Sequence, residues 1–368
     1  MTTQKQFDTS IEDAKAIVKH HLNMLWDSPQ SAKITPPLMI WGPPGVGKST
    51  FIQDLTEEEG IGFIDVRLAQ REPVDIRGLP VPREDRKGID WIISSEWPRE
   101  NSDEFKQKGI ILFDEITAAD ATLQVAAYEF ILDRRLGKLY QVPDGWYIIA
   151  AGNRSSDGAV ARTMSSALAN RFCHLEVSSN SEEWTKWAVI NDIHPSVIGF
   201  IRHSPQLLFN MNGNKERGWP SPRTWERVSA EIKAAENCSL PKDLLETIIQ
   251  GLIGIGAAIE FTGFLEWNDK VPSVSDLLMQ NAKLEIPERS DQRYGFISAM
   301  VYYFKKNEDP VQLFEGLYDI LLELPNDWTQ LAYHDIELSL RASNRIDVMK
   351  EFMQHERHKM VEDKLAVV

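Results

Sequence analysis

Leu38-Met39-Ile40-Trp41-Gly42-Pro43-Pro44-Gly45-Val46-Gly47-Lys48-Ser49-Thr50 is the stretch whose reading decides the fold. The apolar residues predict a buried strand, the glycines a turn, and the residues from about Gly47 a helix start. That order, with G-x-x-x-x-G-K-S across the turn, is the phosphate-binding P-loop. Glycines let successive backbone N–H groups face inward, and the helix adds its positive end, so the pocket suits a polyphosphate. Gly42, Pro43, Pro44, Gly45, Val46, Gly47, Lys48, Ser49 and Thr50 are therefore the candidate nucleotide-binding residues. Lys48 is expected to reach the β and γ phosphates, and Ser49 to ligate Mg²⁺.

Outward from the loop, Thr9 to Trp26 places Ile11, Ala14, Ile17, Val18, His21, Leu22 and Leu25 at helical spacing behind a Ser10 cap. Phe51, Ile52 and Leu55 continue the helix after the loop, and Gly62 to Leu68 reads as the next strand. A helix crossing between parallel strands is the unit of a doubly wound α/β sheet, with ligand outside the strands' carboxyl ends. From Gln70 to Lys108 a single helix is excluded by Pro73, Gly78, Pro80 and Pro82. An insert is expected there, with Gly88 to Ile93 as a short strand or exposed apolar arm that either packs as a surface loop or meets a partner.

Gly109-Ile110-Ile111-Leu112-Phe113-Asp114-Glu115-Ile116 is a buried strand ending in two carboxylates. Downstream of a P-loop this is a Walker B pattern. Asp114 would hold Mg²⁺, usually through water, and Glu115 would act as the base on an attacking water. Asp120 caps a further helix, and 134–146 reads as a small hairpin. The strand Trp146 to Asn153 ends in an asparagine that would lie beside the carboxylates and position the water. Ser165 to Phe172 then delivers Arg171 just before the strand Cys173 to Val177.

This ordered set, together with Ser221-Pro222-Arg223, resembles the AAA+ ATPases, and the MoxR-like branch in particular. The branch is indicated by Asp75-Ile76-Arg77-Gly78-Leu79-Pro80 in the insert, by the hairpin before the Asn153 strand and by Ser-Pro-Arg-Thr. The resemblance covers roughly residues 36 to 236. It implies ATP and Mg²⁺ as ligands and a ring, usually hexameric, with ATP between neighbouring subunits. Arg171 then looks like the finger that reaches the adjacent subunit's γ phosphate, with Arg162 and Arg154 as rivals. Arg223 looks like the sensor that couples a helical lid to phosphate. The resemblance further implies a protein client and a von Willebrand factor A domain partner. The alternative is an AAA+ protein acting on nucleic acid, against which the acidic balance and the lack of an appended DNA-binding motif count. A P-loop switch such as a GTPase is held as a third reading, against which the missing Asn-Lys-x-Asp counts, since Asn214-Lys215 is followed by Glu216-Arg217.

The expected domains are an N-terminal helical segment at 1–36, an α/β nucleotide-binding core at 37–180, with its insert at about 70–108 and hairpin at about 134–146, an all-α lid at 181–270 and a helical C-terminal region at 271–368. The lid segments are Glu182 to Asn191, Pro195 to His203, Pro222 to Ala235 and Leu244 to Trp267, with Asn210 to Gly218 as a loop. Beyond them, Val311 to Leu324 and Asp335 to Met353 are helical by pattern, and Tyr302, Tyr303, Phe304, Trp328 and Tyr333 read as core.

Bulk properties agree with this. The chain has 368 residues, 42% of them hydrophobic and 26% charged, too long for one core. Its net charge of -15 argues against broad adhesion to nucleic acid or anionic membrane. The polar start, Met1 to Lys15, sets the expectation of no signal peptide and a cytoplasmic location. Gly251 to Trp267, the most apolar later run, reads as a buried helix and not a membrane span. Cys173 and Cys238 are expected to be reduced, buried thiols. No Cys/His cluster has zinc spacing, and no G-x-S-x-G elbow is present.

Overall fold

The computed structural model describes residues 8–28, 30–154, 157, 162, 164, 166–211, 217–268 and 273–366. The chain divides into two compact units, Met1–Ser178 and Ser179–Val368.

The first unit is built on a six-stranded sheet, parallel throughout. In chain order its elements are β1 (Asp8–Thr9), α1 (Ile11–Asp27), β2 (Leu38–Trp41), α2 (Lys48–Glu58), β3 (Gly62–Arg67), α3 (Pro73–Arg77), β4 (Leu79–Pro82), β5 (Ile89–Ile92), β6 (Gly109–Asp114), α4 (Ala121–Asp133), β7 (Arg135–Leu136), β8 (Tyr140–Gln141), β9 (Trp146–Gly152), α5 (Ser166–Ala169) and β10 (Cys173–Val177). The sheet order is β1-β10-β2-β9-β6-β3. Parallel strands covered on both faces must be apolar along their length, and β6 and β9 are buried almost end to end. One face packs Met39, Phe113 and Ala150 against Leu123, Ala127 and Phe130 of α4. The other packs Ile40, Leu112 and Ile149 against Val18 and Leu22 of α1 and Ile52 and Leu55 of α2. Ser10 caps α1 by accepting from the Asp13 amide, and Asp120 caps α4 by accepting from the Leu123 amide. The first unit is thus an α/β core, a parallel sheet flanked by helices, and the described residues of the second unit form helices and no strand.

The insert forms α3 and the antiparallel pair β4–β5, whose Leu79, Ile89, Trp91 and Ile92 are exposed, while Trp97 behind them is buried against Phe130. The second hairpin is β7–β8.

The second unit is helical: α6 (Ser181–Ile190), α7 (Pro195–His203), α8 (Pro222–Cys238), α9 (Lys242–Ile253), α10 (Ile255–Asn268), α11 (Val274–Leu278), α12 (Ser290–Lys306), α13 (Phe314–Glu323), α14 (Asn326–Ala342), α15 (Ile346–Gln354) and α16 (His358–Leu365). One hydrophobic core runs from Trp184 to Val361, through both the expected lid and the expected C-terminal region. Residues 212–216 of the expected lid loop lie outside the described residues.

Four local expectations change. The run from Leu244 to Trp267 is two helices, because Gly254 between them has a φ of 79°. Its second half is not buried all round: Ile255 and Ile259 are 56% and 62% exposed, and only one side, with Ala258, Phe261 and Phe264, turns inward. Asp335 to Met353 is likewise split, since Asn344 sits in the left-handed region at φ 53°. Cys238, expected to be buried, is exposed at the end of α8, and Cys173 is half-buried.

Candidate functional site

Strand β2 delivers the P-loop at the carboxyl end of the sheet, between β10 and β9. Gly45 and Gly47 have φ values of 83° and 99°, which residues with a Cβ rarely adopt. Gly42 is needed for a different reason: a Cβ there would lie 2.6 Å from the Val177 carbonyl oxygen. Val46 is buried, and Ser49 and Thr50 enter the first turn of α2.

Lys48 is buried, and its ammonium donates to the carbonyls of Gly42 at 2.7 Å and Pro43 at 3.0 Å and to Asn153 Oδ1 at 3.0 Å. The P-loop is thereby joined to the end of β9. Ser49 Oγ donates to Asp114 Oδ2 at 2.5 Å, joining the same loop to the end of β6. Glu115 follows at φ 55°, exposed, with its amide donating to Asp114 Oδ1 at 2.8 Å. A non-glycine residue in the left-handed region is held there by its surroundings. Here the hydrogen bond to Asp114 and the burial of Ile116 and Thr117 turn the glutamate outward from the strand's end.

Two neighbours carry no motif signal. Buried Thr117 accepts from the Asn153 amide at 3.1 Å and donates to the Asn153 carbonyl at 3.2 Å, locking the two strand ends together. Gly152 is shaped by the same contact, since a Cβ there would meet the Thr117 side chain at 2.8 Å. Asp65 lies on β3, two residues before Arg67, the register partner of Asp114. Burial pushes its carboxyl up, and so does the charge of Asp114, while Arg67 and Arg71 pull the other way. Strand alternation puts Asp65 on the same side as Asp114, which is the only sequence signal that could have found it.

The arginines fall into two kinds. Arg154 is tied within its own chain: its Nε donates to Asp157 Oδ1 at 3.0 Å and its Nη1 to Glu176 Oε2 at 2.6 Å. Burial works against its charge, but the two carboxylates outweigh it and hold the guanidinium above its ordinary range. Arg162 and Arg171 are exposed, and among the described residues neither has an ion-pair partner. Arg171 stands in the turn after α5, which ends at Ala169 and so stops short of it; Ser165 lies outside the described residues. Arg223, in the second unit, is exposed in the first turn of α8, where Ser221 and Thr224 form a capping box.

No family model matches the chain. It is similar to Midasin of Giardia intestinalis, 25% identical over 183 residues, which is 47% of this chain and 4% of that protein. The chain thus spans a small fraction of this curated relative. Among solved structures it is similar to the Thermotoga maritima RuvB Holliday junction branch migration motor, with a TM-score of 0.37 and 14% identity over 73% of this chain and 74% of that one. It is also similar to NtrX from Brucella abortus in complex with ADP, with a TM-score of 0.36 and 15% identity over 82% and 64%. At such low similarity the chemistry must be read from this chain's own residues.

Those residues form a candidate site for the phosphates of a nucleotide. A buried ammonium at the start of a helix suits the phosphates. A hydroxyl and a carboxylate already in contact give the hard oxygen donors that Mg²⁺ prefers. With a carboxylate and an amide side chain at adjacent strand ends, the arrangement can activate water against a γ phosphate.

Proposed function

We propose that the chain is a MoxR-like AAA+ ATPase that hydrolyses ATP at the subunit interfaces of a ring, proposed as a hexamer, to remodel or mature a protein client. A von Willebrand factor A domain protein is its proposed partner. The observation that carries the hydrolytic reading is the pair of bonds from consecutive P-loop residues, Lys48 to Asn153 and Ser49 to Asp114, to the ends of β9 and β6. Among the described residues no helix is long and apolar enough to cross a bilayer.

In this reading Lys48 leaves Asn153 for the β and γ phosphates, and Asn153 orients the attacking water. Glu115 takes the water's proton as the new bond to the γ phosphorus forms and the bond to the bridging oxygen breaks, leaving the electron pair on ADP. Ser49 and Asp114 would hold Mg²⁺, which supplies charge neutralisation across the phosphates when bound. Arg171 supplies a positive charge to the neighbouring subunit's γ phosphate, and Arg223 is the proposed sensor arginine for the nucleotide of its own subunit. Arg154 is disfavoured as the finger by its two carboxylate partners.

The test mixes two inactive proteins. Arg171→Ala keeps Glu115, and Glu115→Gln keeps Arg171, so mixed rings contain interfaces with both groups intact. ATPase activity above the sum of the separate proteins is expected, rising with the fraction of mixed rings seen by native mass spectrometry. No recovery with Arg171→Ala but recovery with Arg162→Ala transfers the finger to Arg162. Strong stimulation by DNA in the wild-type protein overturns the protein-client reading in favour of a nucleic-acid motor.

A further inference from the structure

The turn that carries Arg171 is tied to the strand that carries the P-loop. Trp41 is the last residue of β2, directly before Gly42, and His174 lies on the neighbouring strand β10. Their rings stack with centroids 6.0 Å apart and planes 19° from parallel, and the Trp41 indole N–H donates to His174 Nδ1 at 2.8 Å. Nδ1 must therefore carry no proton, so Nε2 carries it and donates to the Ala169 carbonyl at 2.7 Å. Ala169 is the last residue of α5, and its carbonyl also accepts from the Phe172 amide at 3.2 Å. Asn170 and Arg171 are thus the tip of a turn closed by Ala169 and Phe172 and pinned through one imidazole to the P-loop strand. A short helix of four residues has little stability of its own, so the pin adds to the link through buried Phe172 into β10 in holding the tip.

We propose that His174 is a positioning residue for Arg171, holding the arginine-bearing turn against Trp41 so that the guanidinium is presented at a fixed place to the neighbouring subunit. This rests on the reading of Arg171 as a finger acting across an interface. A polar side chain with both ring nitrogens engaged by different elements suits that role, because loss of either bond loosens the turn without touching a phosphate-binding group. Misplacing a catalytic group by about 1 Å can cost about 10²-fold in rate.

The experiment compares His174→Ala, His174→Gln and Arg171→Ala for kcat and KM of ATP hydrolysis, then mixes each with Glu115→Gln. His174→Ala should lower kcat about tenfold and leave KM within about twofold, because the nucleotide pocket is intact. His174→Gln, whose amide can still donate toward Ala169, should recover part of the loss. Mixing His174→Ala with Glu115→Gln should raise activity above the sum of the two, as with Arg171→Ala, because the defective turn is replaced by the neighbour's good one. Recovery for Arg171→Ala but not for His174→Ala means that His174 acts on its own subunit's P-loop, which overturns the proposal and leaves the finger standing. Recovery for neither overturns both. If His174→Ala fails to fold, Trp41→Phe keeps a stacking ring, loses the donor, and is read in the same way.

Discussion

Polar side chains in the two units do different work. In the helical unit they close the fold on itself. Arg202, 8% exposed, makes a bidentate pair with Asp335, 1% exposed, at 2.6 and 2.9 Å. Lys305 donates to the Val189 and Ile190 carbonyls at the end of α6, and Lys364 to the Leu321, Leu322 and Leu324 carbonyls at the end of α13. Each satisfies a helix end or a buried charge and faces nothing reactive. In the sheet unit, Lys48, Ser49, Asp114, Thr117 and Asn153 come from the ends of β2, β6 and β9 and bond to one another along one edge. Beside them Glu115 stays exposed. The same residue types make scaffold where their bonds terminate helices, and a reaction site where strand ends converge and a carboxylate is left open.

The largest effect should come from breaking the scaffold half of that contrast. Arg202→Ala leaves Asp335 buried without its cation, which costs about 3–5 kcal/mol, whereas replacing both partners by apolar residues of similar volume should restore most of it. Ser49→Ala removes one hydrogen bond at the reaction edge and should cost only about 1 kcal/mol of stability while crippling hydrolysis. Chemical denaturation followed separately in each unit checks both. Comparable stability losses for the two single variants would remove the distinction.

How much of this could be read from the chain follows from how local each signal is. The P-loop, the β6 strand with its Asp-Glu end and the capped helices α1 and α4 are patterns within about a dozen residues, so periodicity and turn chemistry reach them. The two-residue strand β1 is too short to show any period, and the β4–β5 pairing joins segments interrupted by prolines. Bonds between residues far apart in sequence were legible by type for Ser49 and Asp114. They were not legible for Thr117 with Asn153 or Trp41 with His174, because neither pair belongs to a motif. The exposed side of α10 escaped for a related reason: apolar residues circle it, so composition alone cannot say which side faces solvent.

Close backbone approach gives a second, smaller test of the contrast. A Cβ on Gly42 would strike the Val177 carbonyl at 2.6 Å, and one on Gly199 of α7 would lie 2.9 Å from the Gly295 Cα of α12. Both alanine variants should lose about 1–3 kcal/mol, since the blocking atoms are backbone and cannot swing away. Gly42→Ala should also weaken nucleotide binding, because the displaced segment is the P-loop itself. Gly199→Ala should leave nucleotide affinity within about twofold of wild type. A calorimetric titration with an ATP analogue decides, and equal affinity losses would show that crowding in the helices reaches the nucleotide site.

The smallest effect belongs to Asp192, at the end of α6 with φ 60°, which pairs with Lys306 of α12 at 2.8 Å and Lys233 of α8 at 3.1 Å. Burial pushes its carboxyl up, but the hydrogen bonds from the two lysines outweigh burial and hold it below the ordinary carboxylate range. Lys306 moves the complementary way, raised chiefly by its bond to Asp192. A carboxyl with a lowered folded value adds stability that is complete above its unfolded value, near pH 4, and is lost as pH falls through the folded value. Its side chain is 35% exposed, so solvent screening keeps the contribution to roughly 0–1 kcal/mol. Asp192→Asn should therefore be slightly less stable than wild type at pH 7, and the gap should close as pH falls from about 5 to about 3. Urea midpoints of the helical unit measured across that range check the sign. A gap that stays constant to pH 3 would mean that the lysines do not hold Asp192 ionised, and that this corner is fixed by its backbone alone.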